Sequence, residues 1–302
     1  MSAVPKFKLN NGVEIPAVGL GCWSGNTAEE QASGYHWFLT ALKQGYRHFD
    51  TAYGYYTEES LGKALRDSAV PREEIFVTTK FPWNHGGKVE WSINESLKRL
   101  GLEYVDLWLL HWPHLVTFEE TKDEFGDMIT VDSPTFNETW ADMEKVYASG
   151  KAKAIGVSNF SIKNLEKLFT TAKVVPVINQ VELHPYLVQE DLRAYCKEKG
   201  IILTAYAPTG YSTVLSDPTI QQLATKYNVQ PAQIVLAWHV QRGVVAVPKS
   251  RQEIHQKQNI TLPTLSEDDI KTISALDKGR RLCNPMNERG KVWGATKEFL
   301  GW

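Results

Sequence analysis

The chain has 302 residues and a net charge of −2, with acidic and basic residues interspersed, so it shows no basic footprint for nucleic acid. Its three cysteines, Cys22, Cys196 and Cys283, are odd in number and lack metal-like spacing, which argues against a disulfide framework and a metal centre. The opening MSAVPKFKLN lacks the apolar core of a signal peptide, and no apolar run approaches membrane-spanning length; a soluble, cytoplasmic protein is expected.

In chain order, Lys6 to Leu9 and Val13 to Val18 alternate around Asn10-Asn11-Gly12, a hairpin signal. Val18 to Gly21 reads as a strand, and Thr27 to Lys43 as a helix with Trp37, Leu39 and Leu42 inward. Tyr46 to Phe49 is a strand closed by Asp50, and the turn after it leads into a helix carrying Glu58, Leu61 and Leu65. The alternation continues through strand Ile75–Lys80, helix Val89–Leu100 and strand Tyr104–His111, followed by a long polar and aromatic loop over 112–133. Helix Thr135–Ala148, strand Ala152–Val157, helix Asn164–Thr171 and strand Val177–Leu183 follow. Next come helix Glu190–Glu198 and strand Ile201–Tyr206, two helices near 218–227 and 231–241, and strand Val244–Val247 with helix Arg251–Gln258. A further helix near 266–276 and an irregular tail to Trp302 remain.

Length alone favours two domains, but α/β barrels run as one at this size. Strict βα alternation implies a parallel sheet, and eight strand–helix pairs imply closure into a (β/α)8 barrel, here a single domain over 1–302. The residues ending barrel strands share one mouth. Asp50, Lys80 and His111 end the second, third and fourth strands, Tyr55 lies just after the second, and Gln180 and Tyr206 stand near the ends of the sixth and seventh.

A phenol titrates near 10 and is a poor acid unless its anion is stabilised. An ammonium can do that, and a carboxylate can hold the ammonium. Asp50, Lys80 and Tyr55 therefore suit proton donation to a carbonyl oxygen while hydride reaches carbon, with His111 holding the oxygen. The plainer alternatives are an Asp50 that caps a helix, a solvated Lys80 and a packed His111.

At this point the residues resemble a known family. Gly45-Tyr46-Arg47-His48-Phe49-Asp50-Thr51-Ala52 with Glu58 and Leu61-Gly62, then Lys153 to Phe160 (KAIGVSNF), then Val247-Pro248-Lys249-Ser250 continuing to Asn259, are similar to the three signatures of the aldo-keto reductases. The resemblance spans essentially the whole chain. It implies a TIM barrel closed at the bottom by the N-terminal hairpin, with an extra C-terminal helix and tail, and an extended nicotinamide cofactor across the mouth. It implies the tetrad Asp50, Tyr55, Lys80 and His111; Tyr53 and Tyr56 compete for the acid role, and the family's spacing of five from the aspartate selects Tyr55. Gly21, Trp23 and Asp50 fall among its cofactor contacts. Ser158, Asn159 and Gln180 would bind the nicotinamide carboxamide, with Tyr206 stacked on the ring.

Trp23, Trp83 and Trp112 resemble the substrate wall, joined by Tyr55 and His111. Asn284 resembles a sugar-contacting asparagine of xylose-type reductases. In the third signature Lys249, Ser250 and Asn259 are retained, but His255 stands where the family has an arginine for the 2′-phosphate, and Arg251 is the candidate to compensate. The connection Gly210–Asp217 is short for a loop that clasps the cofactor pyrophosphate. The resemblance implies reduction of aldehydes (aldose sugars among them) or ketones with NADPH, and NADH as a weaker alternative, by a monomer or weak dimer acting on a small carbonyl substrate away from nucleic acid and membrane. The competing readings are a Schiff-base aldolase using Lys80 and a cofactor-binding regulatory module without catalysis.

Overall fold

The computed structural model describes residues 4–302; residues 1–3, the start of the stretch read as lacking a signal peptide, lie outside it. The first elements are β1 (Lys6–Lys8) and β2 (Glu14–Pro16), antiparallel with Phe7 opposite Ile15. Their turn passes through Gly12 at φ 90°, a left-handed conformation open to glycine. Leu9 and Ile15 pack on Phe76, Leu107, Ala154, Val177 and Val245. All five stand at or just before the amino ends of strands described below, so the hairpin plugs the bottom of the barrel.

The barrel then builds in order: β3 (Leu20–Gly21), α1 (Ala28–Gln44), β4 (His48–Asp50), α2 (Glu58–Asp67), β5 (Phe76–Phe81), α3 (Val89–Leu100) and β6 (Leu107–Leu110). Two short strands, β7 (Leu115–Val116) and β8 (Thr130–Val131), form a hairpin inside the stretch read as a loop. The sequence continues with α4 (Phe136–Ala148), β9 (Ile155–Ser158), α5 (Ile162–Phe169), β10 (Ile178–Glu182), α6 (Glu190–Glu198) and β11 (Ile202–Tyr206). After these come α7 (Tyr211–Leu215), α8 (Pro218–Tyr227), α9 (Pro231–Gln241), β12 (Val245–Ala246), α10 (Glu253–Asn259) and α11 (Glu267–Ser274). The tail is not wholly irregular: β13 (Lys291–Val292) pairs with β14 (Ala295–Thr296), and α12 (Lys297–Leu300) follows.

Strands β3, β4, β5, β6, β9, β10, β11 and β12 are parallel neighbours in that order. Closure comes from a parallel bridge between Val18 and Ala246, with Gly19 N donating to Ala246 O at 2.9 Å and Ala246 N to Ala17 O at 2.9 Å. A Cβ on Gly21 would lie 2.7 Å from the Val247 carbonyl, so only glycine lets the first strand approach the end of the last. Strands buried on both faces carry the expected apolar runs, such as Leu107-Trp108-Leu109-Leu110. Helices surround them, and α10 packs back on α1. Helix α1 starts at a Thr27–Glu30 capping box and ends at Gly45 in the left-handed conformation. Among the described residues no helix is long and apolar enough to cross a membrane, and no group of three or more His, Cys, Asp and Glu could hold a metal ion.

Candidate active site

The site starts from a charge that water cannot reach. Lys80, on β5, is fully buried, and a buried ammonium must be paired. Its Nζ donates to Asp50 Oδ1 at 2.6 Å and to the Thr51 carbonyl at 2.9 Å. The other carboxylate oxygen of Asp50 accepts Gln180 Nε2 at 2.7 Å. Asp50 is therefore not a helix cap, and Lys80 is not a solvated strand end.

Tyr55 closes a tight turn over this pair, its amide bonded to Ala52 O at 3.0 Å. Lys80 Nζ lies 4.9 Å from the Tyr55 ring centre, and the His111 ring stands edge-on at 5.8 Å. The neighbouring tyrosines face elsewhere. The Tyr53 hydroxyl accepts Arg99 Nη2 at 2.8 Å, and Tyr56 is 58% exposed at φ 54°. Burial, then the Asp50 carboxylate, push the Tyr55 phenol well above its ordinary value. Burial is the larger cause, and the acidification expected from Lys80 does not overcome it; the phenol keeps its proton. Burial first, and the Lys80 charge second, hold the His111 imidazole well below its ordinary value, so it is neutral.

A chain of bonds joins the other strand ends. Ser158 Oγ donates to Gln180 O at 2.8 Å. Asn159, at φ 65°, donates Nδ2 to the His111 carbonyl at 3.0 Å and accepts the Tyr206 hydroxyl on Oδ1 at 2.7 Å. Asn284 Nδ2 donates to the Tyr206 oxygen at 3.0 Å, and Trp293 Nε1 donates to Asn284 Oδ1 at 3.1 Å. A carboxamide has two N–H groups and two lone pairs, so Asn284 keeps one of each.

The aromatic wall is continuous with the tail. Trp83 lies 6.2 Å from Trp112 and 5.4 Å from Trp293, and Trp112 lies 6.0 Å from Trp302. Trp112 packs with Val292, Ala295 and Leu300. Trp23 stands apart, with Lys249 Nζ 4.3 Å over its ring.

The end of β12 gathers cations. Burial, then the Arg251 charge, push the Lys249 ammonium below its ordinary value, against Glu30. Arg251 donates Nη2 to the Ser24 carbonyl and stands 3.9 Å from Glu30. Ser250 is buried and bonds the Gln252 carbonyl at 3.2 Å, Asn259 is buried against the Tyr46 hydroxyl, and His255 is exposed on α10. Lysine and arginine charges close enough to disfavour one another suit an anion. Amides and hydroxyls at the ends of β9 and β10, an aromatic ring at β11 and this cationic end together fit an extended dinucleotide phosphate.

The sequence reading missed Glu182 and Trp293. Glu182 carried a usable signal: it is an acid at a strand's carboxyl end, two residues after Gln180. Trp293, in a segment read as irregular, carried none.

Barrels of this connectivity keep their chemistry at the carboxyl ends of the strands, where these polar groups meet. Residues 17–278 match the Aldo/keto reductase family, and the chain belongs to it. An aldehyde reductase of Saccharomyces cerevisiae is 45% identical over 288 residues, covering 90% of each chain. Glycerol 2-dehydrogenase (NADP(+)) of the same yeast is 43% identical over 286 residues, again 90% of each. The crystal structure of a Bombyx mori aldo-keto reductase in complex with NADP is similar with a TM-score of 0.86 at 33% identity, over 94% of this chain and 96% of that one.

Proposed function

We propose that this barrel, acting as one unit, is an NADPH-dependent reductase that converts aldehydes, aldose sugars among them, or ketones to alcohols, with Tyr55 as proton donor. The observation that carries the reading is the neutral phenol of Tyr55 held beside the buried Lys80–Asp50 pair and the neutral His111. When bound, the nicotinamide supplies a hydride to the carbonyl carbon. Tyr55 gives its proton to the carbonyl oxygen, which leaves an alcohol and a phenolate. Lys80 stabilises that phenolate, Asp50 holds Lys80 in place, and solvent returns the proton. His111, as a neutral imidazole, donates a hydrogen bond to the substrate oxygen.

Ser158, Asn159 and Gln180 would hold the carboxamide and Tyr206 the ring face. Gly21 keeps the backbone close beside Trp23. Lys249, Ser250, Arg251, His255 and Asn259 would read the adenosine end and its 2′-phosphate, with NADH the weaker ligand. Trp23, Trp83, Trp112 and Asn284 would face the substrate. The short connection around α7 favours fast cofactor release. A cytoplasmic monomer or weak dimer is the matching setting. The aldolase reading draws no support, because the Lys80 amine is fully buried and bonded twice.

The test is a panel of aldehydes, ketones and aldoses assayed with NADPH and with NADH. Oxidation of NADPH in preference to NADH, dependent on the carbonyl compound, is expected. No oxidation with any carbonyl compound would leave the cofactor-binding module without catalysis.

A further inference from the structure

Glu182 ends β10 and is fully buried. It stands two residues after Gln180, so both side chains leave the same face of the strand. Gln180 reaches back to Asp50, whereas Glu182 turns to the tail. Its Oε1 accepts the amides of Leu282 at 2.5 Å and Cys283 at 2.8 Å, and its Oε2 accepts the amide of Asn284 at 3.2 Å. His184 Nε2 lies 3.1 Å from Oε1, and the Arg281 guanidinium 3.9 Å from Oε2. Burial works against the charge, but the bonds from His184 and the Cys283 and Leu282 amides outweigh it and hold the carboxyl below its ordinary range.

The backbone of this stretch of tail has few other hydrogen bonds to hold it. Arg280 N bonds Tyr186 O and Asn287 N bonds Lys291 O. Between them, the backbone amides that find an acceptor find Glu182. The third of those amides belongs to Asn284, whose side chain begins the chain of bonds through Tyr206 and Asn159 to the His111 carbonyl.

We propose that Glu182 is a positioning residue that clamps residues 282–284 and thereby sets the Asn284 carboxamide against Tyr206, tuning discrimination between polyhydroxylated and plain aldehydes. The substrate half of this rests on the reductase reading above; the clamp itself does not. Asn284 has one N–H and one lone pair to offer a substrate hydroxyl, and both lose their aim when the backbone is released. A plain aldehyde has no hydroxyl to use them.

The test replaces the carboxylate by its amide, Glu182→Gln, which keeps the shape but brings an N–H against the amides of 282–284. Glu182→Asp, one methylene shorter with the charge retained, serves if the first variant does not fold. Hydrogen exchange at residues 282–284 should quicken while the barrel strands stay protected; unchanged protection there overturns the clamp. In kinetics, KM for D-xylose should rise about tenfold, the worth of one well-made neutral hydrogen bond, while KM for propanal and the NADPH dissociation constant hold. Adding Asn284→Ala should then cost little more, since Glu182 acts through it. Equal losses for both aldehydes, or additive ones, overturn the selectivity role. A wild type that reduces no carbonyl compound defeats the reductase reading, and hydrogen exchange still decides the clamp.

Discussion

At the scale of single residues, the acid role separates three adjacent tyrosines by what each touches. Tyr53 is tied to Arg99 and Tyr56 faces solvent, so only Tyr55 shares space with Lys80 and His111. Tyr55→Phe removes one oxygen and should lower turnover by roughly 10²- to 10⁴-fold, the scale of general-acid catalysis, with cofactor affinity nearly unchanged. Tyr53→Phe should keep its turnover; the reverse ranking, measured under saturating conditions, would move the role to Tyr53. At the other end of the groove, Lys249→Met should weaken NADPH binding by about 10- to 150-fold, the worth of a charge-assisted bond, and NADH far less. Equal losses in titrations with the two cofactors would assign the lysine to their shared part. The Asp50–Lys80 pair was legible in the sequence, since an ammonium beside a phenol needs a counter-charge. The direction of the Tyr55 shift was not, because it depends first on how deeply the turn buries the phenol and then on the Asp50 charge beside it. Nor was the turn of Arg251 toward Ser24, a contact between residues 227 positions apart that no local pattern encodes.

Among the elements, glycines explain spacing that helical periodicity leaves open. A Cβ on Gly62 in α2 would stand 2.1 Å from the Leu100 carbonyl at the end of α3. Neither backbone can yield without moving its helix, and α2 also leads back to the turn that carries Tyr55. Gly62→Ala should therefore destabilise by about 1–3 kcal/mol, the usual cost of overpacking, despite alanine's better helix propensity. Thermal melting reads this directly; a raised melting temperature would mean that the two helices separate freely. All eight barrel strands and their helices were visible as alternating periodicity, because each is buried against a neighbour and must show an apolar face or run. The strand ends moved by a residue or more. Tyr104 to His111 contracts to Leu107–Leu110, with Val105 joined to Ala152 only by an isolated bridge. The strands read as ending at Lys80 and Val157 run on to Phe81 and Ser158. The hairpins β7–β8 and β13–β14 escaped because two-residue strands are too short to display a period. They are the elements that anchor the aromatic wall. Their pairing is fixed by tertiary contacts such as Asp127 with Asn287 and Arg289 at 2.7 and 2.9 Å.

For the whole molecule, the buried imidazoles link folding to acid. His48, His85 and His114 are pushed down to about 4 and His239 to about 3, in each case chiefly by burial. In the unfolded chain a histidine titrates near 6.5. Above that value neither state binds the proton and the groups add nothing to the pH dependence. Below it the unfolded chain takes up protons that the fold refuses, so stability falls as pH drops from about 6.5 toward about 4. Each group contributes about 1.4 kcal/mol per pH unit over that window, and four together about 5.6 per pH unit, so that one unit of acidification costs as much as the whole stability of a marginal domain. Glu58 and Asp106, raised by burial, bind protons more readily in the fold and oppose the trend, two groups against these four and His111. Asp269, lowered to about 2 by its bonds to Lys226, Tyr227 and Ser266, extends the loss to lower pH. The melting temperature should therefore be level from about pH 8 to 7 and fall steeply between about pH 6 and 4.5. A melting temperature that holds level through that acid range would mean the imidazoles take up their protons within the fold, and the neutral His111 on which the proton-transfer reading depends would lose its footing with them.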